Sequence, residues 1–268
     1  MIKLILPLFL FFTILSIILF IITKKEKSSN PGYKILNNII PQNDIQNILK
    51  DWEVKDFKKI HNYFMNNDKI KNMINNELSQ DYRLIDYIYI IENSAIHTYH
   101  RDYTSSQMYN NLSFPSYTMI LYLDDSNNGL NVIPNSHINT LPFYLFDHSI
   151  KLNVQKGSMI LFDANLLHSG SAISKNTKRK CIQFKIIHKD DIQKLPHLQK
   201  FHVMINKPND KNAIFKYIET EFTKHFPIFM DLFQSVIKTS FGKDKTFIQK
   251  LVSQIVFSDK DFYKPINF

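Results

Sequence analysis

Between Tyr82 and Ile187 the chain is a succession of short apolar runs, each of strand length and each closed by polar or turn-forming residues. The runs are Tyr82 to Glu92, Ala95 to Tyr99, Ser116 to Leu123, Asn131 to Ile133, Leu152 to Val154, Ser158 to Phe162 and Lys180 to Ile187. They are rich in Ile and Tyr, which fit a pleated, half-buried surface. Asp124-Asp125-Ser126-Asn127-Asn128-Gly129 is the strongest turn signal among the breaks. Seven such segments predict an antiparallel sandwich or barrel. A single cysteine, Cys181, excludes an internal disulfide, so the sheets must be held by apolar burial. A hydrophobic fraction of 44% with 22 Phe supplies the material.

The flanks read differently. Asn43 to Asp51 and Asp56 to Leu78 carry helical spacing, with Ile45, Ile48, Leu49 and Trp52 on one stripe. Ala213 to His225, Pro227 to Thr239 and Phe247 to Val256 repeat that spacing after the last strand. Leu4 to Ile22 is apolar apart from Thr13 and Ser16 and ends in a Lys-rich stretch with no small-x-small cleavage site. Its 19 residues come close to the roughly 20 that cross a bilayer. The expectation is therefore an uncleaved N-terminal transmembrane anchor over 1–23, a linker over 24–33 and one domain over 34–268. That domain has its core at 82–188 and a helical region at 190–268. Lys24, Lys25 and Lys27 outweigh Lys3 and put the domain on the cytosolic side of a single-pass membrane protein. The net charge of +9 is spread without a dense basic block and reads as a solvated lysine-rich surface rather than a nucleic-acid footprint.

The chemistry is concentrated in a few residues. His100-Arg101-Asp102 follows a strand; residues two apart on extended backbone face the same side, which puts an imidazole and a carboxylate together. His168 lies just past the strand Ser158 to Phe162. Two imidazoles and one carboxylate form the facial triad of non-haem Fe(II) oxygenases, which leaves open positions on the metal. Arg179 follows His168 by 11 positions and Lys178 by 10, and on a strand only one of the two can point inward. The planar guanidinium fork suits a carboxylate ligand, so Arg179 is preferred, with Lys178 as the alternative. His137 is a rival ligand placed in a turn. His97 is expected to face away from His100, and His148 and His188 lack supporting context. Tyr99, Tyr117 and Thr118 are candidates for a pocket wall, and Arg83 for a further carboxylate contact.

From Tyr82 to Ile187 the chain resembles the Fe(II)/2-oxoglutarate dioxygenases of the phytanoyl-CoA dioxygenase type. The carriers are His100-Arg101-Asp102, the segment from Asn128 through Ile133-Pro134-Asn135-Ser136-His137, Lys156-Gly157-Ser158 to Phe162, His168-Ser169-Gly170 and Asn176 to Arg179. Asn135 stands where the family usually has Gly, and Ser158 where it often has Asp. The resemblance implies a mainly β fold with flanking helices, a double-stranded β-helix of the jelly-roll or cupin kind, here preceded by one transmembrane helix. It implies iron on His100, Asp102 and His168, 2-oxoglutarate on Arg179 and O₂ as co-reactant. It implies hydroxylation rather than halogenation, because the related halogenases lack the carboxylate that Asp102 provides. The prolyl-hydroxylase-like branch, which uses a lysine ten positions after its second histidine, is the close competitor. A non-catalytic membrane-tethered jelly-roll module is the reading from another class. The expected partners are a lipid, acyl chain or other small molecule and the membrane itself. No nucleic acid is expected, since no arginine follows Arg179.

Overall fold

The computed structural model describes residues 29–92, 96–125, 129–138, 140–145, 147–170, 179–199, 201–205, 211–238, 244–257 and 259–260. Among the described residues nine strands form two sheets. They are β1 (Tyr33–Leu36), β2 (Tyr82–Glu92), β3 (Tyr117–Tyr122), β4 (Leu130–Val132), β5 (Ile150–Lys151), β6 (Met159–Asp163), β7 (His168–Gly170), β8 (Lys180–His188) and β9 (His202–Ile205). The larger sheet has the order β1-β6-β3-β8-β2-β9 and the smaller the order β5-β4-β7. All pairings are antiparallel except β2 with β9, which is parallel.

Strict alternation on the central strands sorts side chains into two cores. Ile120 and Tyr122 of β3, Ile160 and Phe162 of β6, and Cys181 and Ile187 of β8 join Leu130 and Val132 of the smaller sheet, filling the space between the sheets. Met119, Leu121, Met159, Leu161, Ile182, Phe184 and Ile186 face the other way. There they meet helices α1 (Gln42–Glu53), α2 (Phe57–Asn66) and α3 (Asp68–Glu77) through Ile45, Ile48, Trp52, Phe64 and Ile70. Helices α2 and α3 are separated at Asn67, whose side chain accepts from the amides of Lys69 and Ile70 and caps α3. The single helix expected over Asp56 to Leu78 is thus two. After β9 come α4 (Ala213–His225), α5 (Ile228–Lys238) and α6 (Phe247–Phe257). Met230, Ile237, Val256 and Phe257 dock α5 and α6 on the core between the sheets, while Leu232, Val236, Leu251 and Ile255 on their other faces are exposed.

Further expectations are corrected. The fold is mixed, not mainly β: among the described residues the helices hold more of the chain than the strands do. Of the strand expected over Ala95 to Tyr99, the described residues Ile96 to Tyr99 form none, and His100 reaches the smaller sheet through an isolated bridge to His168. No helix among the described residues is long and apolar enough to cross a membrane. The longest, α4, has 13 residues, or roughly 20 Å at 1.5 Å per residue, against about 30 Å of hydrocarbon. That finding overturns the fold with a transmembrane helix and the single-pass membrane localisation drawn from it. The apolar run 4–22 that prompted both lies outside the described residues.

Candidate metal centre

His100, Asp102 and His168 come together at one end of the space between the sheets, all three buried. One ligand atom from each lies within 4.8 Å of the others. The backbone makes this meeting unavoidable. The His100 amide donates to the His168 carbonyl at 2.9 Å, the His168 amide donates back to the His100 carbonyl at 3.1 Å, and the Asp102 amide donates to the Ala164 carbonyl at 3.0 Å. The stretch from His100 to Asp102 is thereby tied at one end to β7, which carries the third candidate ligand, and at the other to Ala164 just past β6.

Both imidazoles are oriented alike. Nδ1 of His100 lies 2.8 Å from the Thr98 carbonyl, and Nδ1 of His168 lies 2.9 Å from the Leu166 carbonyl. A ring held through Nδ1–H presents an unprotonated Nε2, the tautomer a metal needs. Burial pushes the His100 pKa down to about 3 and lowers that of His168, so both rings are neutral near pH 7. Burial alone would raise Asp102, but the Lys185 ammonium and the two histidines outweigh it and hold the carboxyl below its usual range. Two neutral imidazoles and an ionised carboxylate are the donor set of an iron site, and on this chemistry the residues fit one.

Lys185 and Thr118 complete the Asp102 environment. Lys185 Nζ lies 2.6 Å from Asp102 Oδ2 and donates to Thr118 Oγ1 at 2.8 Å; the Thr118 hydroxyl donates to the same Oδ2. Oδ1 is left facing His168 Nε2 at 3.7 Å. Burial pulls the Lys185 pKa down, and contact with Asp102 opposes it. Thr118 was a candidate wall residue; Lys185 was not foreseen. Its signal was available, because it shares the parity of Arg179, which immediately precedes β8, and faces the same interior.

Arg179 also faces inward and is 1% exposed. Its Nη2 donates to the Tyr122 hydroxyl at 3.3 Å and its Nε contacts Cys181 Sγ at 3.4 Å, while Nη1 is buried with no hydrogen-bond partner. His100, His168, Gln183, Tyr89 and Arg179 line one cavity, so Arg179 and the two histidines border the same space. Lys178 lies outside the described residues.

The other candidates go elsewhere. His137 is not in the cluster; with Asp163, Tyr117 and Glu77 it lines a larger cavity beside β1 and α3. Asn135 adopts φ 64°, the left-handed conformation that explains its standing in for Gly. His97 pairs with Glu219 at 2.8 Å, and His188 stacks on Phe114. Arg83 is exposed near the start of β2 and lines a separate cavity with Lys71, Ile74 and Tyr82, not the one that Arg179 lines.

Residues 37–181 match the sequence model of phytanoyl-CoA dioxygenase (PhyH). The chain belongs to the phytanoyl-CoA dioxygenase family. As a member it is an Fe(II)/2-oxoglutarate-dependent dioxygenase, with iron, 2-oxoglutarate and O₂ as its reactive set. Solved structures similar to the chain include the non-haem α-ketoglutarate-dependent epimerase SnoN from nogalamycin biosynthesis, at 11% identity and TM-score 0.48, covering 59% of this chain and 78% of that one. HygX from Streptomyces hygroscopicus, with nickel and 2-oxoglutarate bound, is similar at 12% identity and TM-score 0.47, covering 59% and 82%. The carbocyclase SnoK from nogalamycin biosynthesis follows at 13% identity and TM-score 0.46, covering 59% and 80%. Comparison with curated proteins gives no match.

Proposed function

We propose that this dioxygenase hydroxylates a C–H bond of a lipid, acyl chain or other small molecule, with iron held by His100, Asp102 and His168 and 2-oxoglutarate anchored by Arg179. The observation that carries the reading is the buried Arg179 whose Nη1 has no partner and whose cavity is shared with both imidazoles. A buried guanidinium left incompletely paired is costly, and the far carboxylate of 2-oxoglutarate is a bidentate match for it.

Iron, when bound, supplies the O₂ chemistry that couples oxidative decarboxylation of 2-oxoglutarate to oxidation of the substrate. The chain's own residues do the rest. The Thr98 and Leu166 carbonyls fix the imidazole tautomers. Lys185 and Thr118 occupy Oδ2 of Asp102 and leave Oδ1 for the metal. Ile91, Ile120 and Leu130 line the same cavity and keep its wall apolar. Asp102 itself supports hydroxylation over halogenation, since it fills the position that a halide takes where the carboxylate is missing.

The test is turnover of 2-oxoglutarate by the purified protein with Fe(II) and O₂, read as succinate. Succinate formed by the wild type and abolished in His168→Ala supports the reading. Equal turnover by the two proteins overturns it.

A further inference from the structure

The residue between the two neighbouring ligands has its own anchorage. Alternation sends His100 and Asp102 inward, so Arg101 points the opposite way, and it is fully buried. Its Nη1 donates to Asp231 Oδ2 at 2.5 Å, and its Nη2 to the Tyr144 hydroxyl at 3.0 Å. Asp231 Oδ1 accepts from the Tyr109 hydroxyl at 2.7 Å. One turn further along α5, Gln234 Nε2 donates to the Arg101 main-chain carbonyl at 3.0 Å. A single helix therefore holds both the side chain and the backbone of the residue that separates His100 from Asp102.

We infer that α5 is part of the metal centre, and that Asp231 and Gln234 are positioning residues that fix the His100–Asp102 bite through Arg101. The inference rests on the reading of His100, Asp102 and His168 as metal ligands. It reaches beyond the family match, which ends 50 positions before Asp231.

Stability alone is a poor explanation for the pair. Burying a guanidinium and a carboxylate costs desolvation that their attraction offsets only when the geometry is good, and apolar residues of similar volume often do as well. What the pair provides is a fixed direction. His100 is tied to β7 and Asp102 to Ala164 by backbone hydrogen bonds; between them, Gln234 holds the Arg101 carbonyl and Asp231 the Arg101 side chain. Loss of that hold lets the two ligands relax relative to each other. Removing a group that orients a metal ligand typically costs 10–100-fold in affinity.

The experiment titrates the full-length metal-free protein with Co(II) alone, following its visible ligand-field absorption, with far-UV circular dichroism to check folding. Asp231→Ala is expected to weaken Co(II) binding by about 10–100-fold and to alter the absorption envelope. Asp231→Asn keeps hydrogen-bonding capacity without the charge and is expected to recover part of the affinity. Gln234→Leu, which frees only the backbone, is expected to weaken binding by less than Asp231→Ala. Folded Asp231→Ala with wild-type affinity and spectrum overturns the inference, even where its unfolding temperature falls. Where Asp231→Ala does not fold, Asp231→Asn and Gln234→Leu decide by the same readout, unchanged binding in both overturning it. His168→Ala serves as the reference for loss of the site. A wild type that takes up no Co(II) overturns the metal-site reading itself, and the inference with it.

Discussion

Replacing Lys185 by Met tests whether its ammonium is the cation that Asp102 relies on before metal arrives. Lys185 Nζ sits 2.6 Å from Asp102 Oδ2, and both side chains are almost fully buried. Methionine keeps most of the volume and removes the charge. Breaking a buried pair from one side costs about 3–5 kcal/mol, because the remaining charge stays desolvated. Thr118 still donates to Oδ2, so the lower end, about 3 kcal/mol, is the working figure. For a domain of this size each kcal/mol moves the midpoint by roughly 2–4 °C, which gives a fall of roughly 6–12 °C in metal-free protein. A divalent cation on the other carboxylate oxygen restores positive charge to the site. Its stabilising effect, which grows as the logarithm of ligand concentration over Kd, should therefore be larger in Lys185→Met than in wild type. Differential scanning calorimetry of both proteins, with chelator and with Co(II), measures all four midpoints. Equal midpoints without metal, or a deficit that metal leaves untouched, would refute the reasoning.

Three further outcomes follow from the same geometry. Arg179→Leu removes the buried cation while leaving the ligands in place, and should raise the Kd for 2-oxoglutarate by more than tenfold with Co(II) binding kept, measured by calorimetric titration of the metal-loaded protein. The metal-free protein should lose stability as pH falls from about 7.5. The unfolded imidazole takes a proton near 6.5 while His100 in the folded state resists until about 3; the unfolded state then binds more protons, so stability is present above 6.5 and drains below it. Between pH 7.5 and 5.5 that amounts to about 1.4 kcal/mol from His100 alone, readable by urea unfolding at the two pH values. Phe64→Ala should cost about 3–5 kcal/mol, because Phe64 is wholly buried against Phe184 where α2 meets the larger sheet; its effect should appear in unfolding and not in Co(II) affinity.

The parts of this molecule legible in the sequence are those carried by periodicity and local chemistry. Tyr82–Glu92 and Ala213–His225 are found at the bounds their patterns predict, since a long alternating or helical pattern leaves little choice of face. The cluster of His100, Asp102 and His168 was readable because an imidazole and a carboxylate two apart after one apolar run and a histidine just past another are unusual together. What escaped depends on pairing over long distance. β1 and β9 are short edge strands whose identity comes from their partners β6 and β2. β7 is three residues, His168-Ser169-Gly170, made a strand by β4. Asp231 meets Arg101 across 130 positions, and nothing near Asp231 announces the contact. The membrane expectation came from hydropathy of one segment alone. The described fold contains no helix able to span a bilayer.

The most direct test of the central claim, that one cavity holds metal at His100, Asp102 and His168 and 2-oxoglutarate at Arg179, is the anaerobic visible spectrum. Fe(II) and 2-oxoglutarate are added together to the metal-free protein. The account predicts a metal-to-ligand charge-transfer band in wild type, lost in His168→Ala and in Arg179→Leu at subsaturating 2-oxoglutarate but recovered in the latter when the cosubstrate is raised. A band of unchanged intensity in His168→Ala, or none in wild type that has taken up Fe(II), would contradict it.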